Sequence, residues 1–288
     1  MTASVGNHIV AVLQRLIPAR WLARAVYKLS RSQHPGIKNL LIRCFCRLYR
    51  VNTDEAAKAV PEEYRTFNEF FTRQLVPDAR PVIDSPGMVC CPADGTIAQI
   101  GFAQDGVLIQ AKGIDYRADN LLADAELATS LRNCAFVTIY LAPHNYHRVH
   151  MPIGGTLEQS THIPGQLFSV NAATTATLNG LYVRNERLVC RFSRGLKNFA
   201  VVLVGAMNVG SFSTAWSGEI TNTTGKISRH WYAADNKPPQ LSRGDYLGQF
   251  NLGSTVIFIA PPEHLRWADG LEAGALVRMG TALGRMNS

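Results

Sequence analysis

From about residue 86 to residue 260 the chain is a succession of short segments rich in Val, Ile, Thr and aromatic residues, spaced by Gly, Asn and Pro. Residues 106–110, 188–192 and 199–204 are examples. This texture predicts a mostly antiparallel β core with a few inserted helices, such as 118–131. Ahead of it, 54–75 reads as helix, with Thr53 or Asp54 as a cap and Phe67, Phe70 and Phe71 on one face. The fold class is therefore α+β. The last of the β segments, Val256-Ile257-Phe258-Ile259-Ala260, is entered directly from Phe250-Asn251-Leu252-Gly253-Ser254-Thr255. Glycine can take backbone angles closed to other residues, and the serine that follows it is placed to attack its carbonyl. The plainer reading is a turn that starts a strand.

Two other polar clusters interrupt β-like sequence. Cys91-Pro92-Ala93-Asp94-Gly95-Thr96 contains an Asp-Gly turn signal, and Pro143-His144-Asn145-Tyr146-His147-Arg148-Val149-His150-Met151-Pro152 follows the strand-like 136–141. An acid, an imidazole and a serine are the parts of a relay in which the imidazole takes the serine proton and the carboxylate orients the imidazole. Asp94, one of the histidines and Ser254 supply those parts. The histidines at 144, 147 and 150 also invite a zinc reading. Their spacing turns progressively around a helix, Pro143 and Pro152 bound the stretch, and no His-Glu-x-x-His motif occurs, so no metal is expected. The six cysteines have neither zinc-finger spacing nor a paired framework, and reduced thiols are expected.

Charge is segregated. Residues 1–50 hold nine Lys or Arg and no acidic residue, whereas the whole chain holds 29 basic and 21 acidic residues. Apolar residues recur here at helical spacing: Ile9, Leu13, Leu16 and Ile17, then Trp21, Leu22, Val26 and Leu29, then Leu40, Leu41, Phe45 and Leu48. Pro18 and Pro35-Gly36 divide the segment into about three short helices. The longest uncharged run, residues 1–14, is shorter than the ~20 residues a spanning helix needs, and no secretory signal pattern is evident. Apolar faces edged with arginine suit a helix lying in an anionic membrane interface. Packing on the core and nucleic-acid binding are alternatives for such a segment, but the aromatics and long apolar runs favour the membrane.

The ordered set of motifs resembles the phosphatidylserine decarboxylases of the membrane-associated bacterial type. The stretches that carry the resemblance are Phe67-Asn68-Glu69-Phe70-Phe71-Thr72-Arg73, Pro92-Ala93-Asp94-Gly95, Ala111-Lys112-Gly113, Tyr146 to Pro152, Pro164 to Asn171, Asn185-Glu186-Arg187, Val204-Gly205-Ala206 and Leu252-Gly253-Ser254-Thr255. Together they span roughly residues 60 to 260.

The resemblance implies a membrane-association region over 1–60 and a catalytic domain over 61–288. It implies autocatalytic cleavage between Gly253 and Ser254 into chains 1–253 and 254–288, with Ser254 becoming an N-terminal pyruvoyl group. That group would form a Schiff base with phosphatidylserine and release phosphatidylethanolamine and CO2. Asp94 and His150 match the positions that activate Ser254, and His147 is the candidate proton donor in turnover. The roles of the two histidines could be exchanged, and any role of His144 stays open. The implied assembly is an αβ heterodimer from one precursor, with further dimerisation open, peripheral on the cytoplasmic face of the cell membrane and without a nucleic-acid partner. Two rival readings fit the same residues: a membrane-associated serine hydrolase using Asp94, His150 and Ser254, which lacks a Gly-x-Ser-x-Gly elbow, and a non-catalytic lipid-binding protein.

Overall fold

The computed structural model describes residues 19–195, 197–206, 211–220, 225–232, 235, 237–262 and 265–286. Its centre is an antiparallel sheet of nine strands. The main path runs β12 (Ser228–Trp231), β7 (Gly155–Ile163), β8 (Arg187–Arg194), β9 (Lys197–Gly205), β15 (Ser254–Ala260), β5 (Cys134–Leu141), β2 (Gly95–Ala103) and β17 (Leu276–Val277), while β13 (Gln240–Leu241) also pairs with β7. The apolar run after Ser254 is the middle strand. It pairs with β5 from Ser254↔Leu141 to Ala260↔Ala135, and with β9 from Ser254↔Gly205 to Ile259↔Ala200.

Successive side chains of a strand point to opposite faces, and here both faces are covered. Val256 and Phe258 enter one apolar layer with Leu203, Ile139, Phe212 and Phe250. Ile257 and Ile259 enter a second, with Val202, Phe136, Leu121 and Tyr182. These four β15 residues are fully buried, each worth about 1.5–3 kcal/mol of burial. The first layer is closed by a sheet of β11 (Gly218–Ile220), β10 (Phe212–Thr214), β14 (Tyr246–Phe250) and β6 (Arg148–His150), and by a sheet of β1 (Met88–Cys90), β18 (Ala282–Met286) and β16 (Leu265–Trp267). The second is closed by the hairpin β3 (Val107–Ala111) and β4 (Ile114–Arg117) and by short helices.

Two helical expectations are corrected. Within 54–75 only α3 (Phe67–Phe71) is helical, its first turn capped by Thr66, which accepts from the Glu69 N–H at 3.0 Å. Pro61 lacks an N–H and disfavours helical angles at Val60, so the preceding stretch forms turns instead. Segment 118–131 is two helices, α4 (Ala118–Leu122) and α5 (Ala125–Ser130). Ala123 breaks them at φ +51°, and Asp124 caps the second by accepting from the Leu127 N–H.

At the N-terminus α1 (Ala19–Ser30) and α2 (Pro35–Tyr49) follow the expected breaks, with Pro35 opening α2. Ile9, Leu13, Leu16 and Ile17 lie outside the described residues, as do the side chains of Trp21 and Leu22. Not all of the apolar stripe faces outward. Ile42, Leu41, Phe45 and Cys46 pack on Phe67, Phe70, Phe71 and Leu252, whereas Leu29, Ile37, Leu40 and Leu48 are exposed, Leu48 by 73%. Two of the nine cations also turn inward: Lys38 is buried on the Pro61 carbonyl, and Arg31 pairs with Glu219. Among the described residues no helix is long and apolar enough to cross a membrane.

Candidate active site

The chain turns sharply just before β15. Leu252 has φ +151° and Gly253 φ +54°. Positive φ suits glycine but strains leucine, at a cost of order 1–3 kcal/mol. Both neighbours of this turn are anchored. Leu252 is buried among Phe70, Phe71 and Ile42. Asn251 donates to Ser211 Oγ at 2.8 Å and Ser213 Oγ at 3.0 Å, and accepts from Asn68 Nδ2 at 3.3 Å. On the far side, Ser254 joins the ladder opposite Leu141 and Gly205, and its side chain lies outside the described part. Buried Asn185 fixes the Gly205 end, donating to the Gly205 carbonyl at 2.9 Å and the Phe168 carbonyl at 2.8 Å. A Cβ at Gly165 would come within 2.5 Å of the Arg184 and Asn185 backbone, which is why that loop requires glycine. The strain is thus held from both directions.

His150, on β6, has its tautomer set by its partners. Nδ1 lies 2.8 Å from the Gly244 carbonyl, which can only accept, so Nδ1 carries the proton. Nε2 then accepts from the Tyr146 hydroxyl at 3.0 Å. Burial, helped by Arg148, lowers the imidazole pKa, while the Asp94 and Asp245 charges and the Gly244 carbonyl oppose this. The ring is a neutral base with its lone pair on Nε2.

Asp94 shares that electrostatic neighbourhood but does not hydrogen-bond to His150. Its carboxylate accepts from Arg80 Nε at 2.9 Å and Nη2 at 2.6 Å, and from the Met279 N–H at 2.8 Å. Arg80 also donates to Glu55 at 2.8 Å, and this hydrogen bond lowers the Glu55 pKa. An acid–base–acid chain, partly exposed at Glu55, therefore holds the buried Asp94.

His147 is wholly buried, stacked on Phe71 with ring centroids 4.0 Å apart. Nε2 lies 3.3 Å from the Pro143 carbonyl and Nδ1 has no partner. Burial first, then the Arg73 charge, holds its pKa down to about 3, so it too is neutral near pH 7. The backbone carbonyl of His147 accepts from Phe250 N–H at 3.4 Å, which sets the residue three positions before Gly253 in the neighbouring strand. His144 is exposed. The three histidines thus occupy three different environments.

The fold brings Asp94 to His150, and His147 to the helix that packs on Leu252. Arg80, Glu55 and the acceptor role of the Gly244 carbonyl were not singled out from sequence. Tyr146 and Phe71 lay inside quoted motifs, but only the folded chain gives them partners.

A family model described as phosphatidylserine decarboxylase matches residues 67–285, and a second, described as PSD, matches residues 9–50. The chain is 45% identical to a protein of Methylococcus capsulatus over 284 residues, 98% of each chain. It is 43% identical to one of Azotobacter vinelandii over 274 residues (94% and 96%) and 44% identical to one of Bordetella pertussis over 272 (94% and 92%). Each of the three is described as a phosphatidylserine decarboxylase proenzyme.

Proposed function

This chain belongs to the phosphatidylserine decarboxylase family, and on that premise we propose that it cleaves itself between Gly253 and Ser254 and then converts phosphatidylserine to phosphatidylethanolamine and CO2. The observation that carries the reading is the positive-φ pair Leu252-Gly253 held immediately before Ser254 at the mouth of the central strand. Strain at Leu252, next to the bond, would favour an N-to-O acyl shift. In it Ser254 Oγ bonds to the Gly253 carbonyl carbon, the peptide C–N bond breaks, and the Ser254 nitrogen gains the proton. Loss of the Ser254 Cα proton then expels the Gly253 carboxylate and leaves dehydroalanine, which water converts to a pyruvoyl terminus and ammonia.

His150 suits the first step as a neutral base, with Tyr146 sharing its Nε2 lone pair. Asp94, held by Arg80, supplies a fixed negative charge that favours the imidazolium the step creates. A pyruvoyl ketone supplies the electron sink for a carbanion at Cα that no side chain offers. His147 stands on Phe71 beside the same turn and delivers the proton to that carbon once it has taken one up. The serine hydrolase reading finds no support in relatives described as proenzymes.

The remaining features belong to the same reading. Residues 1–60 form the membrane-associating region and 61–288 the catalytic domain. The exposed Leu29, Ile37, Leu40 and Leu48, with the basic excess of this segment, favour a peripheral position on the anionic cytoplasmic face of the membrane.

Intact mass under denaturing conditions tests the proposal. Two chains, 1–253 and 254–288, the smaller with a ketone-bearing N-terminus, are expected. Ser254→Ala remains whole and inactive, and its cleavage at this bond would overturn the mechanism. His150→Ala accumulates precursor, whereas His147→Ala cleaves but decarboxylates more slowly by a factor on the order of 10²–10⁴. The reverse pattern would exchange the two roles.

A further inference from the structure

Arg73 follows α3 and is only 4% exposed. Nη2 donates to the His144 carbonyl at 3.3 Å, and the guanidinium lies 5.3 Å from the Phe70 ring centroid. Nε and Nη1 are out of reach of solvent and have no partner. Buried donors are almost always paired, and a buried guanidinium with two open nitrogens is an anomaly that asks for an anion.

Neighbouring charges leave the anomaly standing. The carboxylates that act on Arg73 are Glu55 and Asp94, and both are already hydrogen-bonded to Arg80. Glu55 also faces Arg278 at 3.9 Å. Three guanidiniums against two carboxylates leave one positive charge over, and Arg73 is the one with unmet donors. The Tyr64 hydroxyl, coupled electrostatically to Arg73, is a second buried polar atom without a partner. The location is also informative. Phe70 and Phe71, which precede Arg73, share one apolar cluster with Leu252, and Phe71 carries the His147 ring.

We propose that Arg73 is a substrate-binding residue whose guanidinium takes the phosphodiester of the lipid, fixing the headgroup against His147 and the turn before residue 254. The proposal rests on the decarboxylase reading above. Of the two anions on the headgroup, the phosphodiester fits better. A cation on the carboxylate would stabilise the charge that decarboxylation must discharge, and so would slow the reaction. The phosphodiester keeps its charge throughout, so pairing with it binds ground and transition states alike. A phosphodiester on Arg73 would also cancel the positive charge that, with burial and His144, disfavours protonation of His147. Binding of substrate would then ready the donor.

Arg73→Lys and Arg73→Gln test this through the split between KM and kcat on a short-chain, water-soluble phosphatidylserine, after intact mass has established cleavage. KM is expected to rise in the order wild type, Lys, Gln, on the order of tenfold or more for Gln, with kcat within about threefold. Glycerol phosphate should inhibit wild type competitively and lose that effect in Arg73→Gln, while serine, which carries the carboxylate but no phosphate, should not discriminate between them. An unchanged KM overturns the proposal, as does a fall in kcat at constant KM, which would place Arg73 behind the His144–His147 loop instead. If Arg73→Gln does not cleave, phosphorus NMR of glycerol phosphate with Ser254→Ala protein decides. Binding lost on adding Arg73→Gln supports the site, and equal or absent binding overturns it. Wild type that neither cleaves nor decarboxylates would refute the underlying reading and not Arg73 in particular.

Discussion

The two motif histidines lie three positions apart in very different surroundings. His150 keeps two polar partners, while His147 is stacked on Phe71 with one nitrogen unmet. Burying His147 as a neutral ring has a measurable consequence. Its folded pKa of about 3 lies below the ordinary value of 6.5, so the unfolded chain binds the extra proton first. Its contribution to stability is therefore fully present above pH 6.5 and is lost as pH falls from there toward 3, by at most about 1.4 kcal/mol per unit. In the uncleavable Ser254→Ala background, His147→Asn should lose about 2–3 kcal/mol less than its parent between pH 7 and pH 4.5, as measured by urea unfolding. Equal losses would mean that His147 takes up its proton without leaving its site. At this scale the sequence was partly legible. Asp94, His147, His150 and Ser254 stood out because their chemistry is distinctive. Arg80 and Glu55 did not, since nothing local links residues 55, 80 and 94 until the turns after α2 fold them together.

Among the elements, β strands were readable because short runs rich in Val, Ile, Thr and aromatic residues, punctuated by Gly, Asn or Pro, carry their signal within a few residues. The helix expected over 54–75 failed because Pro61 overrides the propensity of its neighbours. The apolar residues of α2 divide between a packed and an exposed face. Ile42 and Phe45 lock this helix to Phe67, Phe70 and Leu252, while Leu40 and Leu48 stay exposed for the membrane contact proposed above. Deleting residues 1–50 would uncover that cluster, and point changes on the outer face give a cleaner experiment. Leu40→Ser with Leu48→Ser should leave self-cleavage intact and lower binding to anionic liposomes. The residual binding should fall further in high salt, because screening shortens from ~10 Å at 0.1 M to ~3 Å at 1 M. Undiminished liposome binding by the double variant would remove the outer face of α2 from the membrane contact.

Across the whole molecule, the bond proposed to be cut stands at the start of β15, an interior strand of the main sheet paired along both edges. After cleavage, 254–288 would carry β15, paired on both sides, together with β16, β17 and β18, the last being the middle strand of its own sheet. The fragment should therefore stay bound through native purification and separate only on denaturation. Its return is another matter. In the uncut chain the insertion of β15 between β9 and β5 is an intramolecular event, but afterwards it requires two free molecules to meet. Recovery of activity from denatured, cut enzyme should depend on protein concentration, whereas refolding of the Ser254→Ala chain should not. Concentration-independent recovery of the cut enzyme would contradict this. The position of β15 would give the proposed cut a direction in time. The turn that strains Leu252 is held by packing between distant parts of the chain, so a bond cut there as proposed would be a permanent record that the chain had already found its fold, and the molecule carrying it could not begin again as one piece.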